Sequence, residues 1–458
     1  MQLLPGFRDF YPEDCARRNY ILTKWREVAR RYGFVEYDGP VLEPMALYEK
    51  KSGGELVGQL FDFTDKGERH VAMRPEMTPT LARMVAARER DFKKPLKWFC
   101  VPQCFRYEKQ QRGRLREFYQ LNCDIIGEAS PAADAELIAV QIDMLRALGL
   151  TEHDFVVRLS TRDAWRCFLT DVRDEGDGGI YGECEFDQLL AVIDKLERQD
   201  DATSNKLLDP LGIDVGQVRR WKNEAQRNLS AAGSIADISL HGELVKLHET
   251  IHSHLAPRDL LKYITVDLGI VRGLAYYNGI VFEVFDRGKN ERAISGGGRY
   301  DNLLSLMSDD KVDLPALGFG MGDVVLANLI DDTPAAKSLM DTWIAGERPC
   351  EVFVVIAKEE RRPEALALVQ RLRDAGHRTD FPLTPAKVGK QFQTAEHLGA
   401  RTAILVGDEW PQVKVKTLAT REEVLVPHQD LAAVLAGLRP AGCRHPAARM
   451  GSSESGQL

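Results

Sequence analysis

The pattern of apolar and polar positions is most regular in the segment 104–127. From residue 115 onwards two sets of side chains alternate, as they do on a β-strand with one apolar and one polar face. Leu115, Tyr119, Leu121, Cys123 and Ile125 fall on the apolar face, and Arg116, Phe118, Gln120, Asn122 and Asp124 fall on the other face, which is polar except for Phe118. Segment 97–108 predicts a partner strand, with a polar loop at 109–114 between the two. The pattern therefore predicts a long antiparallel hairpin with a basic tip.

Charge allows two interpretations of this hairpin. Between Arg106 and Arg116 the chain carries five cations and one anion, although the whole chain has a formal net charge of −8. Runs of charge are usually solvated faces, so an exposed ribbon is the first interpretation. The second is a ligand pocket, because Gln120, Asn122 and Asp124 would be costly to bury without partners and the cations suit phosphate.

Further helices and strands are predicted on both sides of the hairpin. Apolar residues recur at helical spacing over 13–32, 80–90 and 130–149. Thr78 is the expected N-cap of the second of these helices. Extended segments are predicted over 34–44, which contains Pro40, over 61–74, which folds into a hairpin, and over 156–160.

A helical insertion and two glycine-rich segments are expected next. Residues 161–255 have a helical and highly charged composition, which predicts an α-helical insertion. Three successive glycines, 296–298, are expected at a strand end, where they permit close approach of a ligand to the backbone or form a flexible turn. Gly318 to Asp323 leads into an apolar helix, so the backbone amides at its start are expected to face an anion.

The C-terminal part of the chain predicts a second domain. Residues 1–330 form the first domain, and 331–349 are typical of a linker. Strand and helix patterns alternate over 350–440 in the order β-α-β-α-β, which predicts a small α/β domain with a mainly parallel sheet. The tail, 441–458, is rich in glycine and serine and is expected to be disordered.

Composition narrows the class of protein. At 458 residues the chain is too long for one core, and its 44% hydrophobic and 28% charged residues are typical of globular proteins. It has no apolar run of about 18 residues, and its N-terminus lacks the features of a targeting peptide, so we expect a cytoplasmic protein without a membrane partner. The eight cysteines form no CxxC pair, and we expect no metal site made of protein ligands alone.

Five motifs, in order along the chain, together resemble histidyl-tRNA synthetases, a family of class II aminoacyl-tRNA synthetases. They are Pro5-Gly6-Phe7-Arg8-Asp9, Arg74-Pro75-Glu76-x-Thr78, Phe105-Arg106-Tyr107-Glu108 with Arg116-Glu117-Phe118-Tyr119-Gln120, Arg272-Gly273-Leu274-x-Tyr276-Tyr277, and Gly297-Gly298-Arg299-Tyr300-Asp301. The resemblance extends to about residue 438 and includes the helical insertion and the C-terminal domain.

This resemblance implies a fold and an activity. The fold is an α+β catalytic core with an antiparallel sheet, an α-helical insertion and a C-terminal α/β anticodon-binding domain. The protein would be a homodimer that associates through the region 33–40. It would form histidyl-adenylate from L-histidine and ATP, with Mg²⁺, and then esterify the 3′ end of tRNA(His).

The resemblance also assigns roles to individual residues. The catalytic residues would be Arg106 and Arg272, which neutralise the charge that develops at the α-phosphate. The ammonium group of histidine would be held by Glu76, Thr78 and Gln120, and the remaining histidine-binding residues would be Asp124, Tyr276, Tyr277 and Tyr300. ATP would be bound by Arg106, Glu108, Arg272 and Gly322, with Glu108 contacting the adenine amino group or a magnesium ion. The acceptor end of the tRNA would be contacted by Arg114 and Arg116. The candidate RNA contacts of the C-terminal domain are Lys387, Lys390, Arg401, Lys414 and Lys416.

Two departures from the family pattern stand out. Ala275 replaces the aspartate of RGLDYY, and Val325 replaces the arginine that ends GLER and normally meets ATP. A non-catalytic relative is therefore the alternative, either a histidine-binding regulatory subunit of histidine biosynthesis or an RNA-binding sensor. The retained Arg106 and Arg272 favour the synthetase, as does the presence of the domain at 350–440.

Overall fold

The computed structural model describes residues 2–49, 58–109, 111–174, 182–197, 199–230, 243–271, 277–288 and 292–437. The chain forms two compact units, Met1–Trp343 and Ile344–Leu458. The predicted tail, 441–458, lies outside the described residues.

The first unit combines short strands with helices of very different lengths. Its strands are β1 (Val35–Glu36), β2 (Leu42–Pro44), β3 (Asp62–Thr64), β4 (His70–Met73), β5 (Leu96–Cys100), β6 (Gln103–Phe105), β7 (Glu117–Ile126), β8 (Phe155–Thr161), β9 (Ile264–Val266), β10 (Asn278–Asp286), β11 (Ser295–Arg299) and β12 (Ala316–Gly322). Its helices are α1 (Pro12–Arg31), α2 (Met45–Glu49), α3 (Thr78–Ala87), α4 (Pro131–Arg146), α5 (Ala164–Asp174), α6 (Glu183–Ile193), α7 (Asp201–Leu208), α8 (Val215–Ser230), α9 (Glu243–Glu249), α10 (Leu303–Ser308), α11 (Asp323–Asp332) and α12 (Pro334–Gly346).

The main sheet is antiparallel through its centre. In the described part of the chain it has nine strands, in the order β1-β5-β7-β12-β11-β10-β8-β9, and β6 also pairs with β7. Only the edge pairs β1 with β5 and β8 with β9 are parallel among these residues. Strands β2, β4 and β3 form a small separate antiparallel sheet. The predicted antiparallel core is therefore present.

The predicted central hairpin is present at the expected position, but one of its two strands differs from the prediction. The long strand is β7, as its alternating pattern predicts. Its partner is not continuous, because the chain is interrupted at Pro102, which has no N–H to donate to a strand ladder. The Pro102 carbonyl instead accepts a hydrogen bond of 3.0 Å from the Gln120 N–H. The result is two short strands, β5 and β6, on one long one.

Two local predictions were wrong. Thr78 is not an N-cap, because α3 starts at Thr78 itself, with Met77 at the cap position and no side-chain hydrogen bond. The glycines 296–298 lie inside β11 rather than at a strand end. A Cβ atom at Gly297 would lie 2.5 Å from the Gly318 carbonyl oxygen, so this strand approaches β12 more closely than any larger residue allows.

A buried ion pair fixes α4 to the main sheet. Arg299 donates two hydrogen bonds, of 2.6 and 3.1 Å, to the Asp134 carboxylate, and both side chains are less than a tenth exposed. The same guanidinium also donates to the Ser130 carbonyl at 3.0 Å. Removing one partner of such a pair leaves the other charged and buried, which is strongly destabilising.

We expect Asp134→Ala to lower the free energy of unfolding by about 3 kcal/mol, because it removes the buried partner of Arg299 and leaves only the longer, 3.5 Å pair with Asp301 to offset that charge. Urea denaturation of the variant and the wild type measures this. Asp91→Ala is the control, since Asp91 pairs with Arg88 at 2.7 Å on the surface, where such pairs contribute about 0–1 kcal/mol. Equal effects of the two substitutions would contradict the assignment.

The predicted insertion is helical. It contains α5 to α9, followed by a π-helix at Thr250–Leu255. Trp165, Phe168 and Trp221 pack together with ring centroids 5.4–5.7 Å apart. The Trp165 indole N–H donates to the Leu268 carbonyl at 2.9 Å, which ties this cluster to the segment before residue 272.

The second unit has its own sheet and core. Its strands are β13 (Val352–Ile356), β14 (Thr379–Asp380), β15 (Thr402–Val406), β16 (Gln412–Thr417) and β17 (Glu423–Pro427), and its helices are α13 (Arg362–Asp374), α14 (Val388–His397) and α15 (Leu431–Gly437). The order is β14-β13-β15-β16-β17. The first three strands are parallel and the last two add antiparallel pairs, so the sheet is mixed rather than mainly parallel.

The segment 331–349, predicted as a linker, contains α12. None of the helices in the described ranges is long and apolar enough to cross a membrane.

Candidate active site

A cavity of about 410 Å³ opens on one face of the main sheet. Its floor is formed by β7, β12, β11 and β10, and β7 lines it with Phe118, Gln120, Asn122 and Asp124. The odd-numbered Leu121, Cys123 and Ile125 are buried on the opposite face, on the side where α4 packs against β7 and β12. The alternation seen in the sequence thus separates a core face from a cavity face.

Most of the predicted site residues line this cavity. They are Glu76, Thr78, Arg106, Glu108, Arg114, Gln120, Asp124, Tyr277, Tyr300 and Gly322. Arg272 and Tyr276 lie outside the described residues. Arg116 is not among the lining residues, because its guanidinium stacks 4.2 Å from the Tyr107 ring centroid and donates to the Glu108 carbonyl at 3.3 Å. The structure brings the first group together, and the roles of its members stay predictions.

Glycines on β12 make room for the polar side chains of β7. Asp124 pairs with Gly318, and Gln120 pairs with Gly322 two positions beyond Gly320. A Cβ atom at Gly318 would overlap the Asp124 carboxylate and lie 2.9 Å from its Cγ. One at Gly320 would overlap the Gln120 side-chain amide. Glycine is therefore required at positions 318 and 320 of β12, because the polar side chains of β7 occupy the space of a Cβ atom.

A buried tyrosine holds the carboxylate at the inner part of the cavity. The Tyr300 hydroxyl donates to Asp124 Oδ1 at 2.6 Å, and each residue is only 2% exposed. Burial raises the pKa of the Tyr300 phenol well above its usual value, and the adjacent Asp124 charge raises it further. The phenol therefore stays protonated as the donor, which leaves the Asp124 carboxylate as an acceptor.

Arg106 lies where the cavity meets the hairpin. Its Nε donates to the Pro75 carbonyl at 3.0 Å, which places the arginine beside Glu76, the next residue in the chain. Its guanidinium also lies 5.2 Å from the centroid of the Phe118 ring. Two contacts on different elements thus orient the guanidinium before any ligand binds.

Further charged side chains lie near the hairpin tip. Arg114 forms an ion pair with Glu108, and both line the cavity. Burial lowers the pKa of Arg114, the Glu108 charge opposes this, and the positive charges of Arg292 and Arg106 lower the pKa further. Repulsion among these cations indicates a region that an anionic ligand would stabilise.

The N-terminal motif supports the site from behind. Arg8 Nε donates to Glu117 at 2.6 Å, and Arg8 Nη1 donates to Asp323 at 3.0 Å. Asp323, the first residue of α11, also accepts from the Tyr119 N–H at 2.9 Å. Arg8 therefore joins the start of β7 to the start of α11. The prediction that amides at this helix start face an anion stays open.

Sequence reasoning missed three contributors to the cavity. Gly318 and Gly320 were noted only as part of a glycine-rich approach to a helix. Glu283 lines the cavity from β10, where it pairs with Gly296. Its signal was present, because it is the one charged residue within the apolar run 280–285. In a strand buried on both faces, such a residue marks the face that meets a ligand.

The predicted tRNA contacts of the second unit differ in their exposure to solvent. Lys387 and Lys390 are exposed at the start of α14, whereas Arg401 is half-buried before β15. The other two candidate contacts, Lys414 and Lys416, are paired with Glu409 and Glu423. Lys387 and Lys390 are thus the more accessible cations for an RNA backbone.

The residues described here hold no cluster of three or more His, Cys, Asp or Glu side chains suited to a metal ion. Four carboxylates nevertheless line the cavity, and two of them, Glu108 and Glu283, are not among the predicted histidine-binding residues. Mg²⁺ commonly uses only one or two carboxylates and completes its coordination with water and phosphate oxygens. The cavity therefore fits a magnesium ion that arrives with a nucleotide.

Comparison with known proteins agrees with the motifs. The family model described as histidyl-tRNA synthetase matches residues 6–322, and one described as an anticodon binding domain matches residues 351–438. A histidine–tRNA ligase of Opitutus terrae is 42% identical over 442 residues, which cover 95% of this chain and 98% of that protein. The chloroplastic/mitochondrial histidine–tRNA ligase of Arabidopsis thaliana is 37% identical over 93% of this chain and 85% of that protein.

A solved structure extends the agreement to the fold. The histidyl-tRNA synthetase of Nostoc sp. PCC 7120 matches with a TM-score of 0.71 at 24% identity, over 96% of this chain and 99% of that chain. The predicted α+β core with a helical insertion and an anticodon-binding domain is confirmed, and so is the prediction of an aminoacyl-tRNA synthetase. The chain belongs to the histidyl-tRNA synthetase family.

Proposed function

We propose that this chain activates L-histidine with ATP to form histidyl-adenylate and transfers the histidyl group to the 3′ end of tRNA(His). The distribution of charge along β7 carries the proposal. Hydrogen-bonding side chains occupy positions 120–124, and cations lie beside positions 114–118. An amino acid with an ammonium group and a basic ring suits the first part, and a nucleotide triphosphate suits the second.

Histidine would lie along the inner part of β7. Asp124, held by Tyr300, accepts a hydrogen bond from an imidazole N–H, and Tyr277 lines the same part of the cavity. Glu76 is 2% exposed and follows Pro75, whose carbonyl binds Arg106, so an ammonium on Glu76 lies beside the reacting phosphate. Thr78 and Gln120 supply further hydrogen bonds to that group.

The first step is displacement at phosphorus. A carboxylate oxygen of histidine attacks the α-phosphorus of ATP, the bond to the bridging oxygen of the β-phosphate breaks, and pyrophosphate leaves. Arg106 stabilises the negative charge that develops, and Arg272 shares this role. Glu108 contacts the adenine amino group or a magnesium ion, and Gly322 leaves space for the nucleotide at the start of α11.

Mg²⁺ would accompany ATP. Glu108 and Glu283 are the residues that would hold it, together with phosphate oxygens. The ion would supply positive charge at the phosphates. By itself, Glu108 offsets the positive charge of Arg114, on which Arg106 and Arg292 also act.

The second step is acyl transfer to RNA. The terminal ribose hydroxyl attacks the carbonyl carbon of the adenylate, releasing AMP and forming an ester, while the hydroxyl proton passes to a phosphate oxygen or water. Arg114 and Arg116 on the hairpin lie beside the acceptor end, and Lys387, Lys390 and Arg401 contact the anticodon part.

The double variant Lys387→Ala/Lys390→Ala should raise KM for tRNA(His) about 3- to 10-fold, because two phosphate contacts are lost. The dependence of log KM on log salt should weaken by about two units. Histidine-dependent ATP–pyrophosphate exchange should not change. Lys337→Ala is the control, as Lys337 pairs with Asp341 on α12 at 2.7 Å. An unchanged salt dependence would remove these lysines from the RNA contact.

The protein is further proposed to act as a homodimer in the cytoplasm. The region 33–40 contains β1, in which Val35 is 63% exposed, and the adjacent Val41 and Leu42 are each 44% exposed. An exposed apolar group around an edge strand is typical of a protein interface. Association of two chains through this region would cover it.

Charging of tRNA(His) with radiolabelled histidine tests the proposed function. The expected result is ATP-dependent formation of histidyl-tRNA that other amino acids do not support. The alternative, a non-catalytic regulatory or sensor relative, would bind histidine or tRNA without forming this ester. None of the comparisons favours that alternative, and the curated relatives quoted above are named ligases.

A further inference from the structure

One wall of the cavity is apolar where a nucleotide would need charge. Val324 and Val325, in the first turn of α11, line the cavity next to Gly322. Val325 is the position at which the family pattern has an arginine that meets ATP. The triphosphate carries about four negative charges, so the loss of one cation here requires another source of positive charge.

An arginine lies just before the strand that pairs with β12. In the pairing of β11 with β12, Ser295 is opposite Met321 and Gly296 is opposite Gly320, so the start of β11 lies beside the end of β12 that leads into α11. Arg292 precedes that start by three residues. The two residues that separate Arg292 from β11, Ala293 and Ile294, both line the cavity.

The backbone beside Arg292 is held in place, and its side chain is accessible. The Ile294 N–H donates to the Val284 carbonyl at 2.8 Å, which continues the pairing of β11 with β10 beyond the end of the strand. Arg292 itself is exposed. A fixed backbone with an exposed, long side chain at the cavity edge suits a residue that closes on a ligand.

The positive charge of Arg292 lowers the pKa of Arg114, as the charge of Arg106 does. The negative charge of Glu108 opposes this shift. Of these groups Arg106, Arg114 and Glu108 line the cavity, and Arg114 is paired with Glu108, while Arg292 lies one residue beyond the lining residue Ala293. A ligand with several adjacent negative charges would relieve the repulsion among the three arginines, and a pyrophosphate group has this character.

We propose that Arg292 contacts the β- and γ-phosphates of ATP and supplies, from the strand, the positive charge that Val325 does not supply from the helix. This inference rests on the proposed function. When the histidine carboxylate oxygen bonds to the α-phosphorus, the bond to the bridging oxygen breaks and its electron pair stays with pyrophosphate. Arg292 stabilises that leaving group, and Arg106 acts at the α-phosphate.

The test is the kinetics of histidine-dependent ATP–pyrophosphate exchange by the full-length chain and its Arg292→Gln variant. We expect KM for ATP and KM for pyrophosphate each to rise about 10- to 100-fold, because a charge-assisted contact is lost. KM for histidine should stay within about twofold, which a general disturbance of the fold would not allow. Arg292→Lys keeps the charge and should recover most of the loss.

Arg90→Ala is the matched control, since it removes an exposed arginine from the short 3₁₀ helix at Glu89–Asp91, away from the cavity lining. The inference is overturned if Arg292→Gln leaves KM for ATP within twofold, raises KM for histidine equally, or leaves KM for pyrophosphate unchanged. Failure of the proposed function is a separate result, because it would abolish exchange in the wild type as well.

Discussion

Replacing Gly318 by alanine is expected to reduce histidine-dependent ATP–pyrophosphate exchange about 10³-fold while the protein stays folded. The added Cβ atom would occupy the space of the Asp124 carboxylate. That carboxylate would have to turn away, which breaks its 2.6 Å hydrogen bond with Tyr300 and removes the acceptor for imidazole. Displacing a specific polar contact by about 1 Å costs two or more orders of magnitude in rate.

Two other glycines provide controls for this substitution. Gly296→Ala adds a methyl group to the same floor, but its nearest neighbour would be Glu283 Cγ at 3.7 Å, an ordinary contact distance. Gly389→Ala, on α14 in the second unit, meets nothing within 4 Å. We expect a small effect from the first and none from the second. Full activity of Gly318→Ala would show that Asp124 does not need its present position.

Arg106→Ala is expected to lower kcat for the exchange reaction by about 10²- to 10³-fold, with a smaller change in KM for histidine. The guanidinium is oriented in advance by the Pro75 carbonyl and the Phe118 ring, so it can stabilise developing charge without reorganising. Loss of one such donor costs two to three orders of magnitude in other enzymes, or about 2.7–4 kcal/mol. Steady-state exchange kinetics measure the change.

The control for Arg106 is Arg112→Ala, at the tip of the same hairpin. Arg112 is 66% exposed and lies 3.4 Å from Asp332, and it is not among the residues that line the cavity. Its loss should leave exchange within about twofold of the wild type. If the two substitutions had equal effects, general charge on the hairpin rather than a specific contact would explain the result.

The central hairpin shows how far the sequence predicts this fold. The alternation along β7 predicted both its length and the face that carries Gln120, Asn122 and Asp124, because periodicity depends only on the backbone. The break at Pro102 was missed because the apolar pattern continues across it. Only the missing N–H of proline distinguishes two short strands from one long strand at that point.

Predictions from local sequence were wrong at positions where tertiary contacts determine the structure. Thr78 has the side chain of an N-cap, but it is 6% exposed in the first turn of α3 and lines the cavity instead. The glycines 296–298 were expected at a strand end, either beside a ligand or in a turn, because glycine is permissive. In the structure they are required by the close approach of β11 to β12, which cannot be seen before the strands are paired.

The cavity itself was predicted in part. The polar face of β7 and the basic hairpin follow from spacing and charge, and these residues do line a common cavity. The glycines 318 and 320, the carboxylate of Glu283 and the position of Arg292 depend on which strands become neighbours. In an antiparallel sheet with the order β7-β12-β11-β10, that information is spread over more than 150 residues of sequence.

The most direct test of the central claim is the amino acid dependence of ATP–pyrophosphate exchange by the wild-type chain. We expect labelled pyrophosphate to enter ATP when histidine is present, and none to enter with other amino acids or without one. Absence of exchange under conditions in which calorimetry shows histidine binding would contradict it. The protein would then be a histidine-binding regulator or sensor built on the synthetase fold.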